Sequence, residues 1–174
     1  MARNIEIKAR LVEGIAAVLP RALALPGATG PQQIAQDDCF YAVAHGRLKL
    51  RRFADGSAEL IHYARGDTLS AKASDYVRCP LPDATAADTL HQALERAQGL
   101  LGRVVKRRQL VLVGSTRIHF DRVQGLADEY LELEVVLGPG LDDAAGQAVA
   151  EGLMQSLGLQ DAPRVAGAYL DLLR

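Results

Sequence analysis

Polar and apolar residues alternate along most of this chain, and the alternation predicts strands. In the segment that runs to about residue 12, Ile5 and Ile7 share one face. Asn4, Glu6, Lys8 and Arg10 share the other. Residues 14–25 are rich in Ala and Leu at helical spacing, and Pro20 must kink that helix or start it. Residues 26–31 read as a loop. Strands are predicted over 33–44, 47–53, 58–65 and 72–79. His45-Gly46, Asp55-Gly56 and Gly66-Asp67 supply the turns, and Pro80 and Pro82 end the last strand.

A helix follows, capped by Asp83 or Thr85, with Ala87, Leu90, Leu94, Ala97 and Leu101 as its apolar stripe. Three more strands are predicted over 104–113, 116–123 and 128–137. A helix over 142–157 is expected to turn Ala145, Val149, Leu153 and Leu157 inward, with Gly158 closing it. The apolar tail of Tyr169, Leu170, Leu172 and Leu173 suits a short docked helix. About eight strands joined mainly by short turns favour antiparallel pairing, and eight are enough to close a barrel. The expected architecture is α+β, one domain over residues 1–174. It is an eight-stranded antiparallel closed β-barrel with helices packed outside.

The polar faces change the picture. Arg47, Lys49 and Arg51 oppose Leu48, Leu50 and Arg52. Glu59, Ile61, Tyr63 and Arg65 oppose Leu60, His62 and Ala64. Lys106 and Arg108 share a face, as do Arg117, His119 and Asp121. Glu132 and Glu134 oppose Leu131, Leu133 and Val135. A solvated sheet face normally mixes Ser, Thr and Gln with its charges. Here Arg, Lys, Glu and Asp dominate strand after strand, which points to a charged barrel interior.

With 174 residues, nearly half of them hydrophobic, the chain can build a real core. A net charge of −1 gives no global case for a nucleic-acid or membrane partner. Cys39 and Cys79 lack metal-like spacing and read as buried reduced thiols, as in a cytoplasmic protein. Neither a signal peptide nor a bilayer-spanning stretch is expected. An interior ring of Arg and Lys with fewer carboxylates suits polyphosphate and its divalent cation. Cations take the phosphates and hard carboxylate oxygens take the metal.

Several segments resemble the CYTH superfamily of triphosphate tunnel metalloenzymes, most closely its class IV adenylate cyclase-like branch. Asn4-Ile5-Glu6-Ile7-Lys8 resembles the N-terminal ExExK motif, with Asn4 in place of the first Glu. Gln36-Asp37-Asp38-Cys39-Phe40-Tyr41 is similar to the Asp-plus-aromatic second strand, and Leu48-Lys49-Leu50-Arg51 to the basic third. Tyr63-Ala64-Arg65 and Ser74-Asp75-Tyr76 resemble the next hairpin. Val105-Lys106-Arg107-Arg108, the run from Thr116 to Val123, and Leu131-Glu132-Leu133-Glu134 follow in family order. Tyr169-Leu170-Asp171-Leu172-Leu173 is similar to the branch's C-terminal signature. The resemblance implies a triphosphate tunnel, a small-molecule triphosphate substrate and Mg²⁺ or Mn²⁺. ATP cyclisation to cAMP and pyrophosphate is the leading activity. Hydrolysis of inorganic, thiamine or nucleoside triphosphate is a close alternative, and triphosphate or polyphosphate binding without turnover is a third.

On this reading Glu6, Glu132, Glu134 and, more weakly, Asp121 are metal-ligand candidates. Lys8, Lys49, Arg51, Arg65, Lys106, Arg108, Arg117 and His119 would bind substrate. Glu6 and Lys8 carry the catalytic expectation. Arg10 and Arg47 are expected at the rim or surface, and His62 outside. Tyr41 and Tyr63 are expected to pack a base or fill the barrel mouth. Glu59 and Asp38 are left between tunnel and turn. No membrane or nucleic-acid partner is expected, and a homodimer is compatible with the sequence.

Overall fold

The computed structural model describes residues 2–66 and 68–174, with Ala2 and Arg65 described by their backbone alone. In chain order the elements are β1 (Ala2–Leu11), α1 (Ile15–Leu23), β2 (Ala28–Tyr41), β3 (Arg47–Phe53), β4 (Ala58–Arg65), β5 (Lys72–Leu81), α2 (Ala84–Gln98), β6 (Leu100–Val113), β7 (Thr116–Val123), β8 (Glu129–Val136), α3 (Asp143–Ser156) and α4 (Tyr169–Leu172). The strands close a barrel in the order β1-β5-β4-β3-β2-β6-β7-β8, and every neighbouring pair is antiparallel.

The apolar face of the strands turns outward and is covered. Ile5, Ile7, Ile118, Phe120, Leu131 and Leu133 pack with Ile15, Val18 and Ala22 of α1 and with Ala150 and Met154 of α3. Each such fully buried side chain contributes about 1.5–3 kcal/mol of transfer free energy. A second layer, with Cys39, Tyr41 and Leu50, lies under Leu90 and Leu94 of α2. Asp83 and Asp142 cap α2 and α3 by accepting from the backbone N–H groups of Ala86 and Ala145, each at 2.8 Å.

Several expectations need correction. Pro20 does not start α1 but lies inside it, exposed, in a helix whose buried stripe is Ile15, Val18 and Ala22. The loop expected over 26–31 is shorter, because β2 already starts at Ala28. Leu101 belongs to β6 and is exposed, so it is not part of the α2 stripe. The inward face of α3 is Gly146, Ala150 and Met154, joined by Leu157, while Val149 is 41% exposed. Gly146 sets that face: a Cβ there would lie 2.6 Å from Leu137 and 2.8 Å from Ile5. The helix thus seats its smallest residue against the barrel. Cys39 is buried but Cys79 is exposed, and both are free thiols. Among the described residues, no helix is long and apolar enough to cross a membrane.

Candidate functional site

Because the outer face takes the apolar residues, strand alternation sends the charged ones inside. There they line a cavity of about 290 Å³ to which all eight strands contribute. Register in the staggered barrel sets their levels. At the inner end lie Lys8, Phe40 and Val104. The next level holds Glu6, Glu132, Asp121, Lys106, Asp38, Lys49, Tyr63 and Ser74. Then come Asn4, Glu134, His119, Arg108, Gln36, Arg51, Ile61 and Tyr76. The outer rim is Arg117, Leu110, Ile34, Phe53, Glu59 and Arg78. The rim is open: the Arg117 and Arg78 side chains are 34% and 49% exposed, against 3% and 4% for Lys8 and Lys106.

The inner end is covered by the C-terminal segment. The Val165 N–H donates to the Lys8 carbonyl at 2.9 Å and Asp171 pairs with Arg47 at 2.9 Å. A Cβ on Gly102 would lie 2.6 Å from Leu170, so the glycine allows the segment to dock. Tyr169 reaches into the barrel and donates its hydroxyl to Asp121 Oδ2 at 2.9 Å.

Two parts of the interior differ in chemistry. On one wall, Arg51 holds Asp38 through Nε and Nη2, both at 2.7 Å, and Lys49 adds a contact at 3.1 Å. Arg108 holds Asp121 in the same way at 2.7 and 2.6 Å, and reaches Glu132 at 2.8 Å. Burial disfavours the charged form of both aspartates. Arg51 and Lys49 at Asp38, and Arg108 and Lys106 at Asp121, outweigh it and hold the carboxyls well below the usual range. Burial, followed by repulsion from Arg51, lowers the Lys49 ammonium to about 8; burial and Arg108 lower that of Lys106 to about 7.

The other part is an acidic corner on β1, β8 and β7. Register sets Glu6 opposite Glu134 and Lys8 opposite Glu132; Glu134 faces Arg117 and Glu132 faces His119 on the far side. Lys8 lies 3.5 Å from Glu132 and Arg117 3.2 Å from Glu134. Ligand atoms of His119, Glu132 and Glu134 all fall within 4.8 Å of one another. His119 Nδ1 and Asn4 Oδ1 are buried with no hydrogen-bond partner. Burial and Arg108 push the imidazole well below its ordinary pKa, so it is neutral and able to donate a lone pair. Two carboxylates, a neutral imidazole and an orphaned amide oxygen are a donor set that fits a divalent cation.

The structure therefore brings together most of the residues expected from the sequence. Asp121 has another setting: fully buried and engaged by Arg108 and Tyr169, its oxygens serve the ion-pair wall. The side chain of Arg65 lies outside the described residues. Tyr41 is on the outer face, its hydroxyl 2.6 Å from His91 Nδ1, and only Tyr63 of that pair lines the cavity. Asp38 and Glu59 both line it, and Arg78 grips Glu59 at 2.7 Å through Nε. Arg10 is exposed beside Asp128, and exposed His62 contacts the His45 carbonyl oxygen at 3.0 Å. Sequence reasoning gave no site role to Arg78, nor to Ser74 and Tyr76 beyond a family-like hairpin, although their shared parity in β5 marked all three as interior. It also gave no site role to Tyr169, which reads only as part of an apolar tail and a family-like C-terminal segment.

No curated protein sequence matches the chain. Solved structures do. PH1012 of Pyrococcus horikoshii superimposes with a TM-score of 0.83 at 20% identity, covering 98% of this chain and 99% of its own. A candidate adenylate cyclase of Vibrio parahaemolyticus gives a TM-score of 0.77 at 16% identity, with 98% and 97% covered. HpAC1 of Hippeastrum, a candidate adenylyl cyclase described as having a dominant triphosphatase activity, gives 0.69 at 14%, with 100% and 95% covered. These likenesses fix the fold alone. The CYTH domain family matches residues 2–169, nearly the whole sequence, and the chain belongs to that family.

Proposed function

We propose that the protein is a metal-dependent enzyme that holds the triphosphate group of a small molecule in this pocket and breaks a phosphoanhydride bond. ATP cyclisation is the first reading. The observation that supports it best is the separation of a basic wall from an acidic corner within one cavity. Glu6, Glu132 and Glu134, with His119 and Asn4, would hold Mg²⁺ or Mn²⁺. When bound, such a cation supplies charge neutralisation and orients the attacking oxygen.

Lys8, Lys49, Lys106, Arg51, Arg108 and Arg117 bind the phosphate oxygens. Arg51 and Arg108 are each gripped by a carboxylate, so their guanidinium planes are oriented before a ligand arrives. Neither cysteine lines the cavity, so no thiol nucleophile is at hand. In the cyclase reading the ribose 3′ oxygen attacks the α-phosphorus and pyrophosphate leaves. In the second reading water attacks the terminal phosphorus. That reading is favoured by the triphosphatase activity described for HpAC1 and by the likeness to an RNA triphosphatase of Schizosaccharomyces pombe, Pct1, with a TM-score of 0.52.

The test is incubation of the protein with ATP, inorganic triphosphate and thiamine triphosphate plus Mg²⁺ or Mn²⁺, with products identified. Cyclic AMP and pyrophosphate support the first reading, orthophosphate the second. Binding without any product would make the protein a triphosphate-binding module, the outcome that Asn4 in place of an acid favours.

A further inference from the structure

We propose that the pocket takes phosphate chains only by a free, unesterified terminal phosphate, which enters first and stops against Tyr169. The organic group stays at the open rim. The proposal deepens the triphosphate reading above and rests on it.

The inner end is built as a floor. Ala168 and Tyr169 line the cavity. The Tyr169 ring meets Tyr130 edge-on at 5.2 Å, with Leu170, Val104 and Val123 buried around it. Lys8 donates to the Gly167 carbonyl at 3.1 Å, so even the backbone of the segment is tied to the barrel. The Lys8 and Lys106 ammonium groups lie 4.1 and 5.2 Å from the Tyr169 ring centre. These are cation–π contacts, and they set both ammonium groups at the floor. A terminal phosphate carries the highest charge density of a triphosphate and meets them there.

The organic group has no comparable place at depth. Phe40 and Tyr63 are buried, and Lys49 already sits over their rings at 5.6 and 5.4 Å. At the rim, by contrast, Ile34, Phe53 and Leu110 are only partly buried and form an apolar collar around the entrance. A chain esterified at both ends would have to carry one organic group past the collar and bury it against Lys8 and Lys106. Tyr169 is thus a specificity-determining residue.

The experiment compares inorganic triphosphate, ATP and diadenosine triphosphate with Mg²⁺ by calorimetry, and maps photolabelling by 8-azido-ATP. Inorganic triphosphate and ATP should bind, and diadenosine triphosphate about 100-fold more weakly, since it forfeits two charge-assisted contacts at the floor. The label should fall on Phe53 or Leu110. Tyr169→Phe, which keeps the ring, should keep the discrimination. Diadenosine triphosphate binding within threefold of ATP, or label on Tyr63 or Tyr169, would overturn the proposal. So would loss of discrimination in Tyr169→Phe. Failure of inorganic triphosphate itself to bind would instead overturn the triphosphate reading, and this inference with it.

Discussion

The ion-pair wall and the acidic corner occupy the same barrel but satisfy their charges differently. On the wall, Asp38 and Asp121 each receive two hydrogen bonds from one arginine, which saturates those two carboxylates. In the corner, Glu6 and Glu134 stand directly opposite each other, and the nearby His119 and Asn4 keep buried, unpartnered acceptor atoms. Like charges directly opposite on one sheet face are destabilising unless something of the other sign joins them. In the corner, Arg117 takes up Glu134 and both Arg108 and Lys8 take up Glu132, yet His119 Nδ1 and Asn4 Oδ1 stay without a hydrogen bond. Within one barrel, carboxylates on one side are saturated by arginine, while the other side leaves buried polar atoms unused.

The largest effect expected from this contrast is on stability. Arg108→Met should cost about 3–5 kcal/mol in denaturant unfolding, because it strands the fully buried Asp121 carboxylate. Arg108→Met/Asp121→Leu should recover most of the loss, since it removes both charges together. A double variant no better than the single one would mean that the wall is not a self-contained unit.

Next comes the corner. Glu132→Gln/Glu134→Gln should weaken Mn²⁺ binding in the presence of inorganic triphosphate by roughly 100-fold. Calorimetry with both ligands reads this directly, and an unchanged Mn²⁺ affinity would remove the corner as the metal position.

How much of this was legible in the sequence follows from which constraint acts on which residue. Strand parity is strict, so the interior placement of Glu6, Lys8, Lys49, Arg51, Lys106, Arg108, Glu132 and Glu134 could be read without a structure. β7 has the predicted bounds because Gly114-Ser115 pins its start. Partnership is another matter. Asp121 shares a strand face with Arg117, yet Arg108 takes it, with Lys106 3.9 Å away, because register between β6 and β7 sets Arg108 and Asp121 side by side. No periodicity within one strand encodes that choice. Of the face expected for α3, Leu153 and Leu157 pack on the core while Ala145 and Val149 are exposed, and the closest approach belongs to Gly146. The role of Tyr169 depends on where a tail crosses the barrel, which local pattern does not specify.

The pH dependence separates folding from binding more finely. Lys106 and Lys49 fall to about 7 and about 8 in the folded protein, from an ordinary 10.5. Between pH 7 and 10 the unfolded chain therefore binds more protons at these groups, and their contribution to stability rises with pH. Above that window the buried Tyr169 works the other way. Burial and the Asp121 charge raise its pKa, so the folded state keeps a proton that the unfolded chain loses. Triphosphate binding has the opposite sign in the 7–10 range, because a bound polyanion favours the ammonium forms. Affinity should fall by up to about tenfold per pH unit for each lysine that must regain a proton. Calorimetry in two buffers of different ionisation enthalpy should show net proton uptake on binding near pH 8. Binding with no proton uptake there would mean that these lysines stay charged in the free pocket.

The smallest effect concerns Asn4, where the chain departs from the ExExK pattern. One view puts this residue at the tunnel mouth, away from any metal. The structure places it inside: Asn4 is 2% exposed, lines the cavity, and leaves Oδ1 without a partner on the same level as Glu134 and His119. Asparagine offers that corner a neutral oxygen but no charge. If the corner binds the cation, Asn4→Glu adds a charge where only metal-dependent steps can use it. Turnover should rise, or the metal concentration needed should fall, by roughly tenfold, equivalent to about 1.4 kcal/mol. Metal-free triphosphate binding should stay equal or weaken slightly, since a fourth carboxylate repels the phosphate chain. The wall makes no such demand, so stability in the absence of metal should drop rather than gain. Kinetics of both proteins across Mg²⁺ and Mn²⁺ titrations decide the matter. Superimposable metal dependence would show that the corner completes its coordination without this position, and that the asparagine is a neutral departure.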